Sequence, residues 1–173
     1  MLRFMLVLTL VLSASCSTVN VNYDYDKTTD FSEYKTYNYF SDMQTGMSEL
    51  DTKRLVNALD TKLQSLGFEL TENASFYIDI KSSEFQEAQR STVGVGMGGG
   101  GRNVGGGISV GIPIGQSNVN RQIIIDFVDD SKNGLFWQAA SEYSYNPNAS
   151  PEKREAIFNA IVEKVMKGYP PKN

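Results

Sequence analysis

The chain has 173 residues, 40% of them hydrophobic and 21% charged, the size and mix of one ordinary folded domain. It carries 16 basic against 20 acidic residues with no basic cluster, which excludes nucleic acid as an expected partner. There is no histidine and one cysteine, so Ser-His-Asp and Cys-His nucleophiles and ordinary zinc sites are excluded.

The first elements carry an address. Met1-Leu2-Arg3 precedes an apolar run from Phe4 to Leu12, followed by Ser13-Ala14-Ser15-Cys16, the layout of an export signal over residues 1–15. The run is about half the length that spans a bilayer, so a retained membrane helix is not expected. Leu12-Ser13-Ala14-Ser15-Cys16 resembles the lipobox of bacterial lipoproteins, with Ser13 standing where the pattern usually has leucine. A lone cysteine cannot form an internal disulfide in an oxidising compartment, so Cys16 is read as the lipid-bearing first residue of the mature chain. Removal of Arg3 leaves 15 basic against 20 acidic residues, so membrane contact is expected through acyl chains and not through charge. Ser17 after the cysteine, as the lipoprotein resemblance implies, directs the protein to the inner leaflet of the outer membrane, facing the periplasm.

The mature chain, residues 16–173, reads as one α+β periplasmic domain. Val19, Val21, Tyr23 and Tyr25 alternate with Asn20, Asn22, Asp24 and Asp26, the period of a half-buried strand. The tyrosines there suit either packing or glycan stacking, and their place on the apolar face favours packing. Tyr34 to Phe40 is a second, aromatic strand. Ser48 with Asp51 opens a helix whose Leu55, Leu59, Leu63 and Leu66 share a face, and Gly67 ends it. Phe76, Ile78 and Ile80 mark a third strand. Arg121 to Val128 and Leu135 to Tyr145 form a hairpin about Asn133-Gly134, with Trp137 expected to pack against Ile123, Ile125 and Phe127. Ser150-Pro151-Glu152 starts the last helix, with Ile157, Ile161 and Val165 as its buried stripe. The expected fold is α+β: an antiparallel sheet of about five strands, order β-β-α-β-β-β-α, with two helices on one face and a glycine-rich hairpin insertion.

Several of these stretches together resemble a known family. Asp24-Tyr25-Asp26, Asp30-Phe31-Ser32-Glu33-Tyr34-Lys35-Thr36-Tyr37, Leu66-Gly67-Phe68, Ile125-Asp126-Phe127-Val128-Asp129 and Phe136-Trp137 are similar to the bacterial lipoproteins catalogued as domain of unknown function 4136. The resemblance implies lipoprotein status and an α+β fold, and no activity.

The insertion, residues 93–117, is the least ordinary part of the sequence. Eleven of the fifteen glycines lie between Gly94 and Gly115. Gly94-Val95-Gly96-Met97-Gly98-Gly99 satisfies a dinucleotide fingerprint only through glycine abundance, with no P-loop lysine and no placed ribose acid. Gly107, Gly111 and Gly115 have glycine-zipper spacing, but Ile108, Val110, Ile112 and Ile114 alternate as a strand and Pro113 interrupts. The readings left open are a mobile hairpin and a contacting hairpin, with Val95, Met97, Arg102, Val104, Ile108 and Val110 as candidate contacts to an envelope protein, another copy or the membrane. Asp129 to Gly134 resembles half of an EF-hand loop, but Ala140 occupies the position of the bidentate glutamate. No metal and no cofactor is expected.

The functional expectation is a non-enzymatic, membrane-anchored envelope lipoprotein that binds or assembles with a partner. The alternative is a carboxylate-dependent envelope enzyme acting on glycan or peptidoglycan. That needs two acids about 5–10 Å apart in a cleft, and Asp79, Glu84, Asp126 and Glu142 are the residues to examine.

Overall fold

The sequence's two capping signals fix two helices in the computed structural model, which describes residues 19–86, 119–131 and 134–172. The Ser48 hydroxyl accepts from the Asp51 amide at the head of α1, Glu49–Ser65. At its foot the Gly67 amide donates to the Gln64 carbonyl and the Phe68 amide to the Leu63 carbonyl. This pair of bonds requires a left-handed residue, and Gly67 supplies it at φ +89°. Ser150 caps α2, Pro151–Val165, with proline in the first turn where a missing amide costs nothing.

Six strands make one sheet in the order β1-β6-β5-β4-β2-β3. They are β1 (Asn20–Tyr25), β2 (Thr36–Tyr39), β3 (Glu69–Leu70), β4 (Phe76–Gln86), β5 (Val119–Asp129) and β6 (Gly134–Tyr145). This corrects the expectation of about five antiparallel strands. β1, β6, β5 and β4 pair antiparallel, but β2 runs parallel to both β3 and β4. The reason is α1. A helix between β2 and β4 carries the chain back along the sheet, so the second strand re-enters in the same direction as the first. β3, two residues long, has no periodicity for a sequence reading to detect.

The strands' alternate residues build the core. Phe76, Ile78 and Ile80, Ile123, Ile125 and Phe127, and Trp137 and Ala139 are all buried and join Leu55, Leu59 and Leu63 of α1 and Phe158, Ile161, Val162 and Val165 of α2. The α2 stripe is therefore wider than Ile157, Ile161 and Val165, and Ile157 lies at its margin. The Trp137 ring lies 4.6 Å from that of Phe127. A register irregularity opposite Phe127 and Val128 leaves one extra residue on β6, so Phe136 and Trp137 both turn inward. Phe136 uses this to stack on Tyr34 at 4.1 Å. Asp51–Arg154 joins the first turns of the helices and Lys62–Glu163 their last turns, so α1 and α2 run side by side in the same direction.

Candidate functional site

Cys16 and the candidate contacts Val95, Met97, Arg102, Val104, Ile108 and Val110 lie outside the described residues. Their points of attachment do not. Gln86 at the end of β4 pairs with Val119 at the start of β5, and Val119 pairs with Tyr145 at the end of β6. Glu142, three residues before Tyr145, faces Asn20 at the start of β1. The chain that follows Cys16 and both flanks of the glycine-rich insertion therefore enter the fold at the same end of the sheet.

That end is held by a buried ion network that sequence reading did not find. Asp51, 1% exposed, takes Arg54 at 3.0 Å, Arg154 at 2.7 Å and Arg121 at 3.5 Å. Arg121 also pairs with Glu84, its cross-strand neighbour, and its guanidinium lies 3.6 Å from the Tyr145 ring centroid. Burial opposes the Arg121 charge, but the Glu84 hydrogen bond together with Tyr143 and Tyr145 outweighs it, and the Arg121 pKa is raised. Arg154 donates further to the carbonyls of Ala149 and Pro147. The network fastens the heads of both helices to β4 and β5. The space beside it is only about 10 Å³, room for a water at most. Sequence reading saw Asp51 only as part of a helix start. Its arginine partners Arg121 and Arg154 lie 70 and 103 residues away, beyond any local pattern.

The four acids named for the enzymatic alternative separate. Glu84 is on the core side with Arg121, while Asp79, Asp126 and Glu142 are on the opposite, open face of the sheet. Asp79 and Asp126 are cross-strand partners, and Lys81 bridges them at 2.6 and 3.8 Å. The Asp79 hydrogen bond raises the Lys81 pKa. Asp126 also accepts from Gln138 at 2.7 Å, and Glu142 from Gln122 at 3.1 Å. Asp79 and Lys81 border an open depression of about 320 Å³ on the rim beside Phe40 and Met43. This places an acid pair that shares one lysine on an open surface, not two carboxyls in a cleft.

At the other end of the sheet a groove of about 440 Å³ is lined by Glu33, Tyr34, Ser75, Tyr77, Asp129 and Asp130. The Tyr34 hydroxyl donates to Asp129 at 3.0 Å, and burial together with this carboxylate pushes its pKa up to about 12. Asp129 also accepts from the Ser131 amide and hydroxyl, so the acid-rich turn read as half an EF-hand is stitched by its own serine. Among the described residues no group of three or more His, Cys, Asp or Glu side chains is placed to hold a metal ion. None of the described helices is long and apolar enough to cross a membrane.

β1 completes the picture. Register puts Val21, Tyr23 and Tyr25 beside Ser141, Ala139 and Trp137 on the core face, as the alternation implies. Being on an edge, Tyr23 and Tyr25 stay 40% and 36% exposed. Tyr23 nevertheless packs: its hydroxyl donates to the Lys164 carbonyl at 2.6 Å, and a Cβ on Gly168 would lie 2.3 Å from its ring. Gly168, just past the end of α2, is the seat of that ring.

Among solved structures the chain is similar to a PDZ domain protein from Parabacteroides distasonis, at 12% identity and a TM-score of 0.57. The match covers 99% of this chain and 41% of that one, so the chain spans about two-fifths of that protein's length, and the likeness concerns the fold alone. It is also similar to the PelC dodecamer from Paraburkholderia phytofirmans, at 10% identity and a TM-score of 0.44, over 90% of this chain and 100% of that chain. No curated protein sequence matches. The chain does match the family described as Domain of unknown function (DUF4136) over residues 21–171, which takes in both helices and nearly the whole sheet, and it belongs to that family.

Proposed function

We propose that the protein is a lipid-anchored module of the bacterial cell envelope, tethered through Cys16, that binds or assembles with a partner and carries out no catalysis of its own. The observation that carries the reading is the sequence Leu12-Ser13-Ala14-Ser15-Cys16, placed only four residues before the first strand. Four extended residues span at most about 14 Å, so a lipid on Cys16 holds the domain close to the membrane surface. The end of the sheet nearest that anchor is the end from which the glycine-rich segment departs. That segment is thus attached at the anchored end of a domain held at the inner leaflet of the outer membrane facing the periplasm, where a membrane-resting partner is within reach of the fold. The ion network around Asp51 fits this reading, since it braces the end of the fold that bears such contacts. The Asp79–Asp126 pair shares Lys81 on an open sheet face, which does not favour the enzymatic alternative.

The test is Cys16→Ala in the full chain. Wild type should incorporate radiolabelled palmitate and sediment with membranes, while the variant should take up no label and accumulate as a longer, uncleaved precursor. A variant that is processed and fractionates as wild type does would overturn the anchor.

A further inference from the structure

We infer that β1 is a self-association edge, and that two copies of the chain pair antiparallel through it about a two-fold axis at Asn22, joining their sheets.

The backbone groups of β1 divide between β6 and the open edge. The Asp26 amide donates to the Phe136 carbonyl of β6. In an antiparallel ladder alternate residues face the same neighbour, so Asn20, Asn22 and Asp24 turn their amides and carbonyls toward β6 while Val19, Val21, Tyr23 and Tyr25 turn theirs outward. At each end of that outer edge one group is taken from within the chain. Lys164 donates to the Val19 carbonyl, and the Tyr25 amide donates to the Asp24 carboxylate at 2.9 Å. Val21 and Tyr23 remain, each with an amide and a carbonyl that no described residue takes. Only one antiparallel register lets these two residues serve each other in both copies, and it places Asn22 opposite Asn22.

The side chains agree with the same register. On the open face it sets Asn20 opposite Asp24 twice, amide against carboxylate, and brings no two acids of β1 face to face. On the core face it sets Val21 opposite Tyr23, bringing a valine against a tyrosine ring left 40% exposed in the single chain. Valine–aromatic cross-strand pairs stabilise sheets. A register centred on Asp24 would oppose two carboxylates and is disfavoured.

Between those ends, β1 carries few of the devices that keep edges apart. It contains no proline, lysine or arginine and no bulge. The other edge, β3, is protected by being two residues long.

The pairing also suits an anchored protein. The two Asn20 residues would stand about 14 Å apart, four strand positions, so anchors on both chains reach one leaflet when the two-fold axis lies along the membrane normal. The inference itself does not require lipidation, and palmitate labelling tests that separately.

The experiment is disulfide trapping in the full chain, expressed in cells and oxidised in the membrane fraction, with the unsubstituted chain alongside to report on Cys16. Asn22→Cys should give a dimer, because directly opposed residues of a non-hydrogen-bonded pair bring their Cβ atoms within disulfide range. Asn20→Cys and Asp24→Cys should stay monomeric singly and dimerise together in one chain. Equal dimer from Asn20→Cys alone, or none from Asn22→Cys, overturns the register. Val21→Pro supplies the independent reading. It removes an outward amide that no described residue accepts, so far-UV circular dichroism should be retained while the detergent-extracted protein shifts to half the wild-type mass. An unchanged mass in a folded Val21→Pro overturns the pairing, and if that variant does not fold, the cysteine series decides alone.

Discussion

The two faces of the sheet come from the same strands and differ at every other residue. On the inner face of β4, Phe76 alone has ring contacts with Tyr34, Tyr37, Phe68, Phe127 and Phe136, and both helices close over the layer. On the outer face the same three central strands carry Asp79 and Lys81, Gln122 and Asp126, and Gln138 and Glu142, joined side by side in polar pairs. The inner face stabilises by excluding water, which is proportional to area and lost in large steps. The outer pairs exchange protein contacts for water contacts, and each is worth little. Mutational cost should therefore fall steeply on crossing the sheet.

The largest effect is expected from Trp137→Ala. The ring is fully buried, lies within 5.3 Å of Tyr169 and donates its indole N–H to the Gly168 carbonyl at 3.2 Å. Removing it leaves a cavity beside Phe127 that the surrounding rings cannot fill, for a loss of about 3–5 kcal/mol in a denaturant titration. A loss under about 1 kcal/mol would mean that the inner face repacks freely, and the contrast between faces would fail.

Next comes Asp51, a charge on the inner side of the fold. Asp51→Ala leaves Arg121 and Arg154 facing each other without their shared carboxylate. Breaking a buried pair from one side costs about 3–5 kcal/mol, and the partial exposure of Arg154 puts this case at the lower end. Asp51→Asn, which keeps an acceptor of the same shape, should cost less. If both variants were neutral, the network would be dispensable, and the end of the sheet nearest Cys16 would be held by packing alone.

What the sequence made legible follows the same division. Period-two runs such as Phe76 to Ile80 and period-3.6 leucines such as Leu55 to Leu63 record burial on one side, so strands, helices and the inner face could be read directly. Ser48, Gly67 and Ser150 act within a few residues and were equally visible. The parallel placement of β2 was not drawn from the sequence, because pairing direction depends on where α1 returns the chain and not on any residue in β2. Nor could Asp51 be foreseen as a hub, since two of its three arginines come from β5 and α2. Of the candidate site, the sequence offered Cys16 and the insertion. The shared end of the sheet that gathers their attachment points emerges only from the register of four strands.

The smallest effect, and the sharpest test of the contrast, is Lys81→Ala. The lysine is 62% exposed on its side chain and holds Asp79 at 2.6 Å and Asp126 at 3.8 Å. Its removal leaves two carboxylates as direct cross-strand partners, an arrangement that is destabilising in a sheet. Water reaches this face, and Asp126 keeps the Gln138 amide, so the repulsion is screened and the cost should be about 0.5–1 kcal/mol at low salt. Raising the ionic strength toward 1 M shortens the screening length to about 3 Å, and the difference between variant and wild type should then shrink toward zero. Trp137→Ala, whose cost is a cavity, should keep its full difference at the same salt. A salt-independent loss of 2 kcal/mol or more for Lys81→Ala would show that the outer face is shielded from solvent as the inner one is, and that something covers it.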